Sequence, residues 1–463
     1  MAGIDLTARA KKYSLYIPSM QINSAEKVCM TADKWQDSPL PCGLEPKDFN
    51  FLDPNNKFWT YLYALASAEK FKDSENNAIT RRDPSCFIMG DSGGFQLGRG
   101  TFGEAQKWKG FNEPAVTAAW RASPMRDDIT RWCDSGCNYA MSIDMPLWAR
   151  RAGFRGTPFH ECSVNTLLQL TVENLQYLEY NRGKWGNCKY LSVQQGDNPR
   201  DEATWYSGIN PYHLDGWSFA GGVGIYGGGP YRMLNRLLIM RDDKLLDPGY
   251  DWLHLLMLTK FLCAPVVTAM QMGVRATANK NFTISYDSST AYMMGGRHQK
   301  YFEPRTFTTK PDTWSNANHK FPTGYGDANE QQPIALNTVS CSANPCGMCA
   351  QGMQHLPAPL TSPIASQLYL ADLLSVKDKF AKRHVRNLFD ETVINHNVFT
   401  LVDATIRANE AVFDAKPHAP QQLIDAVGMI ERIFHDENGN SLLVNNRVAL
   451  EKAVGFKAKK HVL

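Results

Sequence analysis

Six times between residues 86 and 290, a short apolar run stops at a polar residue or a glycine. The runs are CFIMGDSGG (86–94), NYAMSIDMP (138–146), YLSVQQGDN (190–198), WSFAGGVG (217–224), LHLLMLTK (253–260) and FTISYDSST (282–290). Runs this short and this apolar read as strands buried on both faces. Helix-like segments separate several of them. The stretch from Ser163 to Tyr180 is one, with Leu167, Leu170, Val172, Leu175 and Leu178 at mixed helical spacing. Strands alternating with helices imply a mainly parallel sheet. The polar groups gather at the C-terminal ends of the runs, where (β/α) barrels and doubly wound sheets both build their sites. Because these ends are spread from Asp91 to Asp287, a ring of loops around one mouth suits them best. The expected class is α/β, a (β/α)8 TIM-like barrel with insertions and a zinc-clamped helical C-terminal extension.

The rest of the chain fits around that barrel. Residues 302–337, rich in Pro, Asn, Thr and Gln, read as irregular connection. After Pro357 the pattern turns helical, in SQLYLADLLSVKDKFAKRHVRNLFDETV (366–393) and again over 398–413. The division expected is a catalytic barrel over 1–340 and a zinc-binding subdomain with helical extension over 341–463. A composition of 43% hydrophobic and 21% charged residues argues against long disorder. The net charge of +3 neither announces nor excludes a nucleic-acid binder, since a local patch can hide in a balanced total. No apolar stretch approaches the roughly 18–20 residues that span a bilayer, and MAGIDLTARAKKYSLYIP lacks the apolar centre of a signal peptide. A cytoplasmic setting without membrane contact is expected, in the host cytoplasm if the chain is phage-encoded. The 11 cysteines are then free thiols or metal ligands.

Three constellations bear chemistry. Asp91 and Asp287 each end an apolar run and precede a serine. Two carboxylates facing one sugar carbon can run a glycosyl displacement, one attacking the anomeric carbon and the other moving protons. The competing structural reading is that each caps a helix or a turn. Asp144, Gln195 and the run Gly221-Gly222-Val223-Gly224 suit a flat hydrogen-bonding ligand. A carboxylate accepts from adjacent N–H groups, an amide both donates and accepts, and glycines expose backbone at close range. Phe95 offers a stacking face, and Gln96 a polar support beside it. The bland alternative for the glycines is a tight turn. Finally, CSANPCGMC places Cys341, Cys346 and Cys349 within nine residues, a thiolate knuckle for structural zinc. His355, His384 and His396 are candidates for the fourth ligand.

Together these residues resemble the queuine and archaeosine tRNA-guanine transglycosylase superfamily, in order, over roughly residues 85–410. DSGGFQ (91–96) is identical to that family's signature. YAMSIDMP is similar to the segment ending in the base-recognition aspartate, VQQG (193–196) to its V-Q-G-G element, and FAGGVG to its glycine run. YDSSTAY (286–292) resembles the nucleophile segment, and the cysteines with INHNVF (394–399) resemble the zinc clamp. The resemblance implies Asp287 as nucleophile on C1′ of the target nucleotide and Asp91 as general acid/base. It implies Asp144, Gln195 and backbone at Gly222 and Val223 as readers of the base, with Phe95 stacking on it. It implies structural zinc on Cys341, Cys346, Cys349 and His396. The incoming base would be a 7-deazaguanine, exchanged for guanine without ATP.

Departures bear on the polymer. The first cysteine gap holds four residues where the family has one, IYGGGP replaces the usual continuation of the glycine run, and no RNA-binding domain of the archaeal type follows the zinc segment. The chain is thus most similar to the DpdA-type DNA-guanine transglycosylases of phages and bacterial modification islands. The implied reaction inserts a base such as 7-cyano-7-deazaguanine into DNA. The same exchange in tRNA, or a non-catalytic nucleic-acid-binding partner subunit, is the alternative. A retaining glycosidase shares the acid pair but leaves the base readers and the cysteines unexplained. Either polymer requires the guanine to leave its stack. Arg297, His298 and Lys300, and the basic residues from Lys377 to Arg386, are candidates for phosphate contacts. A homodimer is left open.

Overall fold

All six runs pair as parallel strands in the computed structural model, and two further strands join them. The structure describes residues 3–35, 39–221, 225–320, 336, 356, 358–373 and 386–456, with backbone alone at 225–227, 370, 371 and 386. The strands are β1 (Leu15–Pro18), β2 (Tyr63–Ser67), β3 (Phe87–Asp91), β4 (Tyr139–Met141), β5 (Lys189–Gln194), β6 (Gly216–Phe219), β7 (Trp252–Leu255) and β8 (Thr283–Ser288). Their order in the sheet is β1-β8-β7-β6-β5-β4-β3-β2, so neighbours in the chain are neighbours in the sheet. A parallel bridge between Ser19 and Leu65, with Met20 N donating to Leu65 O at 2.8 Å, nearly closes the sheet on itself. The result is an α/β, TIM-like barrel arrangement of eight parallel strands.

Helices cover the outside. The principal ones are α1 (Gly94–Arg99), α2 (Met125–Gly136), α3 (Val164–Asn181), α4 (Pro199–Ile209), α5 (Ile225–Asp242) and α6 (Cys263–Thr277). Ser163 caps α3, accepting from Thr166 N at 3.1 Å, and Asn198 caps α4, accepting from Asp201 N at 2.9 Å. On the helix side of β3, a Cβ at Gly90 would meet Cys137 Sγ at 2.8 Å and Cys133 Sγ at 3.4 Å. Glycine before Asp91 therefore lets the thiols of α2 seat against the strand.

The barrel interior is layered. Phe87, Tyr139 and Trp252 stack across strands, with Phe87–Trp252 centroids at 4.6 Å and Tyr139–Trp252 at 4.9 Å. Side chains two and four positions further along the same strands share this inward face. Above the aromatic floor sit His254 and Ser285, and above them Asp91 and Asp287 at the C-terminal mouth. The strand period thus carries both acids to the end of the barrel where such folds place their chemistry.

Beyond the barrel, α7 (Arg386–Phe413) is one continuous 28-residue helix, joining what read as two runs. It packs against β1 and α6, and α8 (Gln421–His435) lies along α6. Gly273 makes that crossing close: a Cβ there would overlap Phe434. Arg9 ties the N-terminal segment to α7 through Asp403 at 3.0 Å and Glu410 at 2.9 Å. One buried apolar core extends from Leu6 to Val454, so the extension shares the barrel's core. The connection after β8 is not wholly irregular, because Lys300–Phe302 pairs antiparallel with Asn318–Lys320. Residues 321–335 and 374–385, including most of the basic stretch from Lys377, lie outside the described residues. No described helix is long and apolar enough to cross a membrane.

Candidate active site

Asp91 ends β3, and its Oδ1 accepts from Gly93 N at 2.9 Å. Gly93 has φ +82°, a left-handed turn that starts α1 immediately after the acid, and this explains the first glycine of the pair. The second, Gly94, is explained by proximity: a Cβ there would stand 3.3 Å from Asp144 Oδ1. DSGGFQ thereby brings two carboxylates together, Asp91 from its own strand and Asp144 from the loop after β4. Burial pushes the Asp91 carboxyl up to about 6, and the nearby charge of Asp287 pushes the same way. Burial, then repulsion from Asp91, raises Asp144 to about 7, although the Gln195 amide opposes this.

Gln195 stands behind Asp144. Its Nε2 donates to Asp144 Oδ2 and to Met145 O at 2.9 Å, while its Oε1 accepts from Leu147 N at 3.1 Å. One buried amide therefore shapes the 144–147 turn and orients the carboxylate. Phe95 is 54% exposed at the mouth, with its ring 5.1 Å from that of Trp148. Gln96 is half-buried, and its Oε1 has no hydrogen-bond partner among the described residues. Gly222 and Val223 lie outside the described residues.

Asp287 is held more firmly than the sequence suggested. Its Oδ1 accepts from Met257 N at 3.0 Å, and its carbonyl accepts from Leu258 N at 2.9 Å. Met257 has φ 61°, uncommon for a residue with a side chain, so the turn after β7 is bent to aim its N–H at the acid. Asp287 Oδ2 has no hydrogen bond among the described residues. His254, fully buried on β7, places Nε2 3.5 Å from Asp287 Oδ1 and Nδ1 2.8 Å from Ser285 Oγ. Trp252 Nε1 donates to the same hydroxyl at 2.7 Å. An indole can only donate, so Ser285 Oγ accepts from Trp252 while it faces Nδ1 of the imidazole, whose Nε2 is turned toward Asp287. His254 and Met257 both lie inside LHLLMLTK, where an apolar run conceals them. Only the register with Ser285 reveals the histidine.

The proposed metal ligands divide. Cys341, Cys346 and Cys349 lie outside the described residues, as do His355 and His384. Among the described residues no group of three or more His, Cys, Asp or Glu is arranged to hold a metal ion. His396 is fully buried in α7, with Nε2 2.8 Å from Phe302 O and Nδ1 3.4 Å from Ser362 N. Burial lowers its pKa to about 4 and keeps the ring neutral. With Nε2 donating to Phe302 O, Nδ1 is the acceptor for Ser362 N–H, so both ring nitrogens are engaged among the described residues. Its neighbours are equally buried: Asn395 Oδ1 accepts from Trp59 Nε1 at 3.0 Å, and Asn397 Oδ1 accepts from Phe302 N at 2.8 Å. The NHN triplet therefore fastens α7 to three separate segments with or without a metal. Arg297 and His298 are exposed after β8, and Lys300 is half-buried.

Compared with known proteins, the chain matches no family model and no curated protein.

Proposed function

We propose that this chain is a transglycosylase that exchanges guanine for a 7-deazaguanine base, such as 7-cyano-7-deazaguanine, in DNA. The observation that carries the reading is the meeting of Asp91, Asp144 and Asp287 at one barrel mouth, with two of the three acids raised into the range of about 6 to 7. Acids whose environments set them apart divide into proton donor and nucleophile. In the proposed reaction the free oxygen of Asp287 attacks C1′ of the target nucleotide as the bond from C1′ to guanine breaks. Asp91, protonated near pH 6, gives its proton to the departing guanine. The incoming base then loses its N9 proton to Asp91 and attacks C1′, and the ester to Asp287 breaks. No oxidant and no ATP enters the balance.

Other groups position these. Met257 N–H holds one oxygen of Asp287, with His254 Nε2 3.5 Å from the same oxygen, leaving the other to attack. Asp144, set by Gln195, reads N–H groups on the base edge with Phe95 stacking over it, and backbone at Gly222 and Val223, outside the described residues, belongs to the same proposal as a further reader of the base. Structural zinc on Cys341, Cys346, Cys349 and His396 belongs to the same proposal, as a cross-link that would fix the extension. DNA is favoured over tRNA because IYGGGP stands where the family has its usual continuation of the glycine run.

The test is incubation with labelled 7-deazaguanine and either duplex DNA or bulk tRNA. Incorporation into DNA that disappears in Asp287→Asn is the expected result. Incorporation into tRNA alone would reassign the polymer. Tight nucleic-acid binding with no incorporation would favour a non-catalytic partner subunit.

A further inference from the structure

Beside the mouth is an aromatic and cationic lip that the reaction does not use. Trp148 and Phe154, from the connection between β4 and α3, stand with ring centroids 4.6 Å apart. Arg99, at the end of α1, lies 5.6 Å from the Phe154 ring and 5.8 Å from that of Phe95. Gly98 makes the assembly close, since a Cβ there would fall 2.7 Å from the Trp148 ring. Arg99 and Arg155 are exposed and have no ion-pair partner among the described residues. Arg150 donates through Nε to Cys162 O at 3.1 Å, so its terminal nitrogens stay available. Of the acids on this side, Asp197 is paired with Arg151 at 2.6 Å, and the exposed Glu161 lies 3.8 Å from His160. The lip is therefore positive, flat-faced and continuous with the mouth through Phe95.

We propose that this lip binds the nucleotide next to the one whose base enters the barrel, in an unstacked, single-stranded segment of nucleic acid. Aromatic faces accept any base, and free guanidinium groups stack and meet phosphate, the combination by which single strands are held. A flipped base leaves its neighbour without a stacking partner, and the lip supplies one. The proposal deepens the exchange reading and rests on it for the position of the flipped base. The phosphate contacts are thereby assigned to the β4 side of the mouth in addition to Arg297 and His298.

The experiment measures binding without chemistry. Fluorescein-labelled single-stranded DNA and RNA 12-mers are titrated with the full chain carrying Asp287→Asn, by anisotropy, at several salt concentrations. Adding Phe154→Ala or Trp148→Leu should weaken binding roughly five- to a hundredfold with an unchanged salt slope. Adding Arg99→Gln should reduce that slope by about 0.7, the loss of one phosphate contact on a single strand. The polymer whose binding falls more identifies the ligand. Because Trp148 is partly packed on the core, circular dichroism accompanies each variant, and Phe154→Ala with Arg99→Gln decides if Trp148→Leu does not fold. Well-folded variants that bind both polymers within twofold of the parent would overturn the lip, as would a parent that binds neither at low salt. Loss of binding in these variants, beside a chain that never exchanges bases, would keep the lip and discard the exchange.

Discussion

Asp91→Asn should make the protein more stable, and more so at high pH. Asparagine keeps the acceptor for Gly93 N–H and nearly the same volume, so the change removes charge and little else. Asp91 is raised from 3.8 to about 6 in the folded chain. Its ionised form is then about 3 kcal/mol less favourable in the folded than in the unfolded state. The sign follows from proton counting. Between 3.8 and about 6 the folded state binds the proton more tightly, so stability falls as pH rises through this window. The penalty is absent below the window and complete above it. The variant should therefore gain about 3 kcal/mol at pH 8 and roughly half of that at pH 5. Urea denaturation of both proteins at the two pH values measures the gains. An equal change at pH 5 and pH 8, or a destabilised variant at pH 8, would refute the claim that burial and neighbouring acids strain this carboxylate. A residue that weakens the fold where it stands is explained by use, as active sites commonly show.

Three further outcomes follow from the same structure. His254→Gln should slow attack by Asp287 by up to about a hundredfold while leaving base affinity unchanged; an unchanged single-turnover rate would remove His254 from the positioning of that acid. Glu202→Ala should destabilise the chain by about 3–5 kcal/mol, because it strands the buried Arg236 guanidinium now 2.8 Å from Glu202 Oε1; a urea midpoint shift worth under about 1 kcal/mol would contradict this. Elemental analysis of the purified chain should find stoichiometric zinc that Cys346→Ser loses, whereas a folded, metal-free parent would remove zinc from the account.

The barrel was legible because its strands are apolar on both faces and end abruptly. LYIP and YALAS escaped because runs of four and five residues are too short to stand out, and only their pairing with β8 and β3 makes them strands. Asp91, Asp144 and Asp287 stood out at run ends. What surrounds them did not, since it depends on contacts between distant segments. The partner of His254 is 31 residues away, and Met257 owes its role to a backbone angle that no side chain advertises. The glycines of DSGGFQ have two duties that only the structure shows, a left-handed turn at Gly93 and room for Asp144 at Gly94. Gln195 read as a reader of the base, and in the structure its hydrogen bonds run to the turn that holds Asp144.

The central claim is that Asp287 forms a bond to C1′ of a nucleotide, and mass spectrometry of the denatured protein tests it most directly. Incubated with DNA and then digested, the parent chain should yield a nucleotide-modified peptide containing Asp287, absent from Asp287→Asn and consumed when a 7-deazaguanine is added. Base exchange without any such adduct, or an adduct mapped to another residue, would contradict the account.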